Sequence, residues 1–204
     1  MRVMKDIAVT PFDKGQGFVS IEREKLVEKA EKEFQNVSMD TPNTTAALER
    51  KIQGKLRQIK KDGKLDKETY KQIYPSGSLT PSANPAIKAH KPSKDSPARL
   101  ITSHIGAPQE ALSSLLNTIL QPYIEKSKYV CKNSFQFVET IKRLILGSND
   151  KMVSFDAAAL FPLVLIGDCI QYIYSLLTQD KDLHKRTQLT PSDITDLIKV
   201  CLSS

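Results

Sequence analysis

Apolar residues recur along this chain at two different periods, and the changes of period divide it into short strands and amphipathic helices. Ile7-Ala8-Val9 and Gly17-Phe18-Val19-Ser20-Ile21 read as two strands. The turn between them, Pro11 to Gly17, holds glycines suited to unusual backbone angles. From about Glu24 to Phe34 the period becomes helical, with Leu26, Val27, Ala30 and Phe34 on one side. Thr44 or Thr45 caps a longer helix whose stripe is Leu48, Ile52, Leu56 and Ile59, and Gly63 ends it. A third helix is predicted from Asp66 to Tyr74.

Pro75 to Pro97 contains five prolines, a density that excludes a long helix. Two short strands fit here, Ala86 to His90 and Ala98 to Thr102. Helical spacing then returns. Pro108 opens a helix to about Lys126 with Leu112, Leu115, Leu116, Ile119 and Leu120 inward. Asn133 starts another, whose buried set is expected to be Phe137, Val138, Ile141, Leu144 and Ile145. A strand over Met152–Asp156 and a helix over Asp168–Leu177 follow. Thr190-Pro191-Ser192-Asp193, a threonine cap with an acid three residues on, opens the last helix. Hairpins interleaved with helices, without internal repeats, predict an α+β fold that is helix-rich with short antiparallel strands.

The chain has 204 residues, which suits one large domain or one and a half. Its net charge of +7 is unevenly spread. Arg50 to Arg99 holds 13 Lys and Arg against 4 Asp and Glu, so the remainder carries −2. An excess confined to one stretch points to a polyanion, because neutralising phosphates releases counterions. A solvated helix face and a basic linker would give the same count. The longest apolar run, Ala157 to Ile166, has ten residues and includes Pro162, too short for a membrane span. No signal peptide is visible, and Cys131, Cys169 and Cys201 are too far apart for a metal knuckle. They are expected to be reduced packing thiols of an intracellular protein, nuclear or cytoplasmic. His90, His104 and His184 fall on unrelated elements and are read as non-ligands.

The most informative segment is Met152-Val153-Ser154-Phe155-Asp156-Ala157-Ala158-Ala159-Leu160-Phe161-Pro162. An acid at the end of an apolar strand is costly unless a cation meets it. A divalent metal is one such cation; the plain alternative is an aspartate capping the next helix while Phe161 packs in a core.

Three blocks together resemble the reverse transcriptases of Penelope-like retroelements. Val9-Thr10-Pro11-Phe12-Asp13-Lys14-Gly15-Gln16-Gly17-Phe18-Val19-Ser20-Ile21-Glu22-Arg23 resembles that family's amino-terminal signature. Ala86-Ile87-Lys88-Ala89-His90-Lys91-Pro92 and Pro97-Ala98-Arg99-Leu100-Ile101-Thr102-Ser103 are similar to its fingers strands. Val153-Ser154-Phe155-Asp156 through Phe161 resembles its first palm motif, and Leu189 to Ile194 the helix after it. The resemblance implies the fingers and partial palm of a right-hand polymerase: residues 1–150 a fingers-like subdomain, residues 151–204 the start of the palm. It implies an RNA template, a DNA primer and deoxynucleotides as partners, and Mg²⁺ as cofactor. Asp156 would be the catalytic metal ligand, with the Ala157 carbonyl beside it, in a two-metal site with ions about 4 Å apart. Phe161 would sit beneath the incoming sugar. Lys88 and Arg99 would clamp the triphosphate, Arg offering a forked donor pair. Lys14, Lys91 and Gln109 would touch template or primer.

Leu100 stands where the family has a proline, Leu163 and Leu165 replace a polar residue and a proline, and Gly167 replaces an acid. No two acidic residues are adjacent in the chain, whereas the third palm motif supplies two neighbouring aspartates. The expectation is therefore a fingers-and-first-palm fragment, inactive by itself. A nucleic-acid-binding module without chemistry and a decayed relic remain as alternatives, and oligomeric state is left open.

Overall fold

The structure, a computed structural model, describes residues 6–34, 44–88, 98–145, 147–157 and 160–202. It is α+β and helix-rich, with short antiparallel strands. The chain forms two compact units, neither of them a continuous stretch. The first joins Met1–Gln53 to Pro75–Glu110; the second joins Gly54–Tyr74 to Ala111–Ser203.

In the first unit, β1 (Ile7–Pro11) pairs antiparallel with β2 (Phe18–Glu22), and β3 (Ser82–Ile87) with β4 (Ala98–Ser103). The hairpins meet edge to edge. Phe12 bridges Ile87, the Asp13 amide donates to the Ile87 carbonyl at 2.9 Å, and the Thr10 hydroxyl donates to the Pro85 carbonyl at 2.5 Å. Helix α1 (Arg23–Phe34) continues directly from β2 and packs against β4. Thr10, Ala86, Ile87 and Ala98 are buried where these elements converge. Glu49 fastens the loop ahead of β3 by accepting from the Ser78 amide at 2.9 Å; the Ser78 side chain and amide together hold its carboxyl below the usual range.

Helix α2 (Thr44–Lys61) buries Ile52, Leu56 and Ile59, as its periodicity predicts. Gly63, at φ 75°, ends it as foreseen: its amide returns to the Lys60 carbonyl and that of Lys64 to Ile59, satisfying two orphan acceptors. In the second unit α3 (Lys67–Ile73) is capped by the Asp66 carboxylate. Helix α4 (Glu110–Glu125) buries Leu112, Leu116 and Ile119. Helix α7 (Ile166–Gln179) packs on α8 (Pro191–Leu202) through a short 3₁₀ turn at Leu183–Lys185. Ile194 and Leu197 are wholly buried. The predicted cap of α8 forms reciprocally, with the Thr190 amide donating to Asp193 at 2.9 Å and the Asp193 amide to Thr190 at 3.2 Å. Lys64 adds an ion pair to the same carboxylate at 2.8 Å.

Three expectations need correction. β3 begins at Ser82, not Ala86, and runs through Pro85; in a two-stranded ribbon every strand is an edge, where a missing amide is tolerated. The apolar side of α5 (Ser134–Ile141) is not buried. Phe137, Val138, Leu144 and Ile145 are exposed, Ile145 to 99 %, because no other element lies over them among the described residues. Residues 151–157 form no strand, and a short α6 (Leu160–Leu163) follows. Phe155 is 92 % exposed, so its apolar neighbours have no layer to pair with.

Candidate nucleic-acid interface

The doubled hairpin gathers two of the three blocks that carry the resemblance. Residues far apart in sequence meet because the turn after β1 docks on the end of β3. Asp13 accepts from Nη1 of Arg99 at 2.9 Å across that junction. The partners differ in environment: the Asp13 side chain is 2 % exposed and that of Arg99 52 %. Asp13 Oδ2 has no hydrogen-bond partner among the described residues. Lys14 follows Asp13 in an exposed turn, and half-buried Lys88 follows Ile87, whose carbonyl takes the Asp13 amide. Arg99 thus reaches across the junction, and Lys14 and Lys88 each stand next in sequence to a residue that holds it together. Arg99, which the resemblance assigns to the triphosphate, spends one of its donors on a buried carboxylate.

Gly17 shapes the turn. Its φ is 145°, and a Cβ there would stand 2.7 Å from Cε2 of Phe12. The glycine therefore allows Phe12 to fold back under the turn and bridge to Ile87.

The other expected residues are not brought to this surface. Gln109 is buried rather than presented to a strand, and its Oε1 lacks a partner among the described residues. Asp156 and Ala157 are exposed in an irregular segment of the second unit. Phe161 lies in α6, with its side chain outside the described residues, as is Lys91 altogether. Among the described residues no group of three His, Cys, Asp or Glu side chains is placed to hold a metal ion. One exposed aspartate does not fit the donor set of a two-metal Mg²⁺ centre.

The basic face of α2 is partly consumed internally. Lys55 pairs with Asp196 at 3.1 Å, Lys60 lies 3.9 Å from the Tyr70 ring centre, and Arg50 donates to the Ala46 carbonyl at 3.2 Å. The sequence count of cations therefore overstates what this helix offers an anion. The packing role expected of the cysteines holds for none but Cys201; Cys131 and Cys169 are exposed.

Sequence reasoning missed one cluster, Tyr123, Asp180 and Arg186. The Tyr123 hydroxyl donates to Asp180 at 2.6 Å and accepts from Arg186 at 2.9 Å, and Arg186 also pairs with Asp180. Tyr123 lies 57 and 63 positions from the other two, and no motif spacing announces the cluster. No family model, curated protein or solved structure matches this chain. Among the described residues no helix is long and apolar enough to cross a membrane.

Proposed function

We propose that this chain binds nucleic acid through the doubled hairpin, as the fingers-side part of a reverse-transcriptase-like polymerase, and does not polymerise by itself. The observation that carries the reading is the Asp13–Arg99 pair at the junction of two hairpins whose sequences resemble that family's amino-terminal signature and fingers strands, with Lys14 and Lys88 each next in sequence to a residue of that junction. Lys14 and Lys88 supply point charges for phosphate, and Arg99 supplies the donors that Asp13 leaves over. The missing neighbouring aspartates and the solitary Asp156 argue against chemistry within these residues.

Binding of a labelled RNA–DNA hybrid, measured by anisotropy across a salt series, tests this. Replacing Lys14 and Lys88 together by Gln should reduce the slope of log K against log salt by about 1.5 to 2, each phosphate contact being worth about 0.9 in duplex DNA. Asp156→Asn should leave the affinity unchanged. An unchanged slope in the Lys variants would defeat the assignment of this surface, and template-dependent extension lost on Asp156→Asn would defeat the claim that the chain is inactive.

A further inference from the structure

A groove in the second unit combines aromatic walls with positive charge. It lies between the end of α4, the loop after it and the middle of α7, and encloses about 600 Å³, within the range of small-ligand sites. Tyr123, Tyr129 and Tyr172 line it, together with Lys126 and Lys128, and no carboxylate is among its lining residues. Tyr129 is 85 % and Tyr172 65 % exposed. A smaller cavity of about 240 Å³ shares Tyr123, Lys126 and Leu176 with it and ends on Asp180 and Arg186.

The arrangement has a fixed wall and two open ones. Tyr123 is tied by its hydroxyl to Asp180 and Arg186, and the Arg186 guanidinium lies 5.0 Å from its ring centre. Burial and the bond to Asp180 push the Tyr123 phenol up, so it remains a donor at neutral pH. Arg186 pairs with Asp180 and offsets its charge, while Asp180 and Asp182 both attract Lys126. Lys128 lies 5.0 Å from the Tyr129 ring centre, and neither Lys126 nor Lys128 forms an ion pair among the described residues.

Exposed rings are what an unpaired base stacks on, and lysines beside them are what its phosphate needs. Stacking of this kind is tolerant of sequence and is combined with a cationic track in proteins that hold single strands. An acidic peptide would use the lysines but not three tyrosines; an apolar helix would use the rings but not the lysines.

We infer that this groove holds an unpaired nucleotide of a single strand, with its base against Tyr129 and Tyr172 and its phosphate at Lys126 and Lys128. The inference rests on the proposed nucleic-acid binding but concerns residues apart from the hairpin, so the two are tested separately. The chain has six tyrosines and no tryptophan, so its intrinsic emission comes from tyrosine. Wild type, a Tyr129→Ala/Tyr172→Ala pair and a Tyr129→Phe/Tyr172→Phe pair would be titrated with a twelve-residue oligothymidylate and with a duplex of equal length. Melting curves of all three proteins would verify that these exposed substitutions leave the fold intact.

The expected result is quenching of wild-type emission by the single strand, and affinity for it lowered by about fivefold or more per ring in the alanine pair. Duplex affinity should stay within about twofold, and the phenylalanine pair should keep single-strand affinity because it keeps the rings. Equal single-strand affinity in the wild type and the alanine pair overturns the inference. If binding disappears with the hairpin lysines while ignoring the tyrosines, the inference falls and the proposed function stands. If no polynucleotide binds, both fall. A doubling of mass in sedimentation that the alanine pair abolishes would assign the groove to a second copy and overturn the inference too.

Discussion

The two ends of the Asp13–Arg99 pair should respond unequally to mutation, and the inequality can be worked out from their exposure. Replacing Arg99 by Gln leaves a carboxylate whose side chain is 2 % exposed without its cation, while its second oxygen already lacks a donor. Removing one member of a buried pair costs about 3 to 5 kcal/mol. Arg99 is half in water, which shields the pair, so a figure of about 2 to 3 kcal/mol is expected. In a chain of this size that lowers the melting temperature by roughly 5 to 10 °C. Replacing Asp13 by Asn strands only an arginine that is 52 % exposed and turns readily to solvent; the change should stay within about 1 kcal/mol. The double variant removes the buried charge as well and should recover most of what Arg99→Gln loses. Circular-dichroism melts of the wild type, both singles and the double complete the cycle. Asp13→Asn should also release a cation for phosphate and steepen the salt dependence of binding by roughly 0.7 to 0.9. If Arg99→Gln melts no lower than Asp13→Asn, the pair does not behave as a buried carboxylate held by a surface cation, and the reasoning fails.

Acid should destabilise the fold with a defined sign. Hydrogen bonds from Tyr123 and the Asp182 amide hold the Asp180 carboxyl below 3.8, its ordinary value, and Ser78 holds Glu49 below 4.5. Their stabilisation is complete above those values and is lost as pH falls through the lower folded-state values; Asp180→Asn should flatten the fall in melting temperature between about pH 4 and 2. Gly17→Ala should lower the melting temperature, since a left-handed φ and a contact with the Phe12 ring both oppose the new methyl; an unchanged melt would deny Gly17 its part in the turn. Burial pushes the Cys201 thiol up, against a hydrogen bond with Ser113. A disulfide reagent near neutral pH should therefore modify exposed Cys131 and Cys169 quickly and Cys201 only slowly until the protein unfolds; three equal rates would contradict the burial.

Local chemistry was legible wherever a residue determines its own surroundings. Gly63 after the α2 stripe and the Thr190–Asp193 box each act within a few positions, so the sequence predicts them; Asp66, read as the first residue of its helix, is instead the cap of α3. Periodicity was less complete. It marked the apolar faces of α5 and of residues 152–155, but an apolar face states what seeks cover and not what supplies it. Those side chains lie open here, and the strand predicted for Asp156 is not formed. The pairing of Arg99 with Asp13 and the Tyr123–Asp180–Arg186 cluster depend on docking between distant segments. Nothing in the local sequence around any of these residues names its partner. The resemblance to a polymerase gives Lys88 and Arg99 to the triphosphate and Lys14 to template or primer, and the junction of the hairpins puts them on neighbouring chain segments; Gln109, which it assigns to the template, is buried.

The interleaving of the two units has a consequence for how the chain is made. Every segment of the first unit's hairpins has been synthesised once Glu110 has emerged. The second unit must wait, because Lys64 pairs with Asp193, 129 positions later, and Lys55 with Asp196. At about 5 to 20 residues per second, the last helix follows these lysines by roughly 6 to 28 seconds. Throughout that interval Leu56 and Ile59, buried in the finished protein, stand on a ribosome-bound chain without the partners supplied by later residues. Vectorial synthesis thus separates the two halves of α2 in time: its first turns join a unit whose sequence is soon complete, and its last turns join one that closes only when α8 arrives.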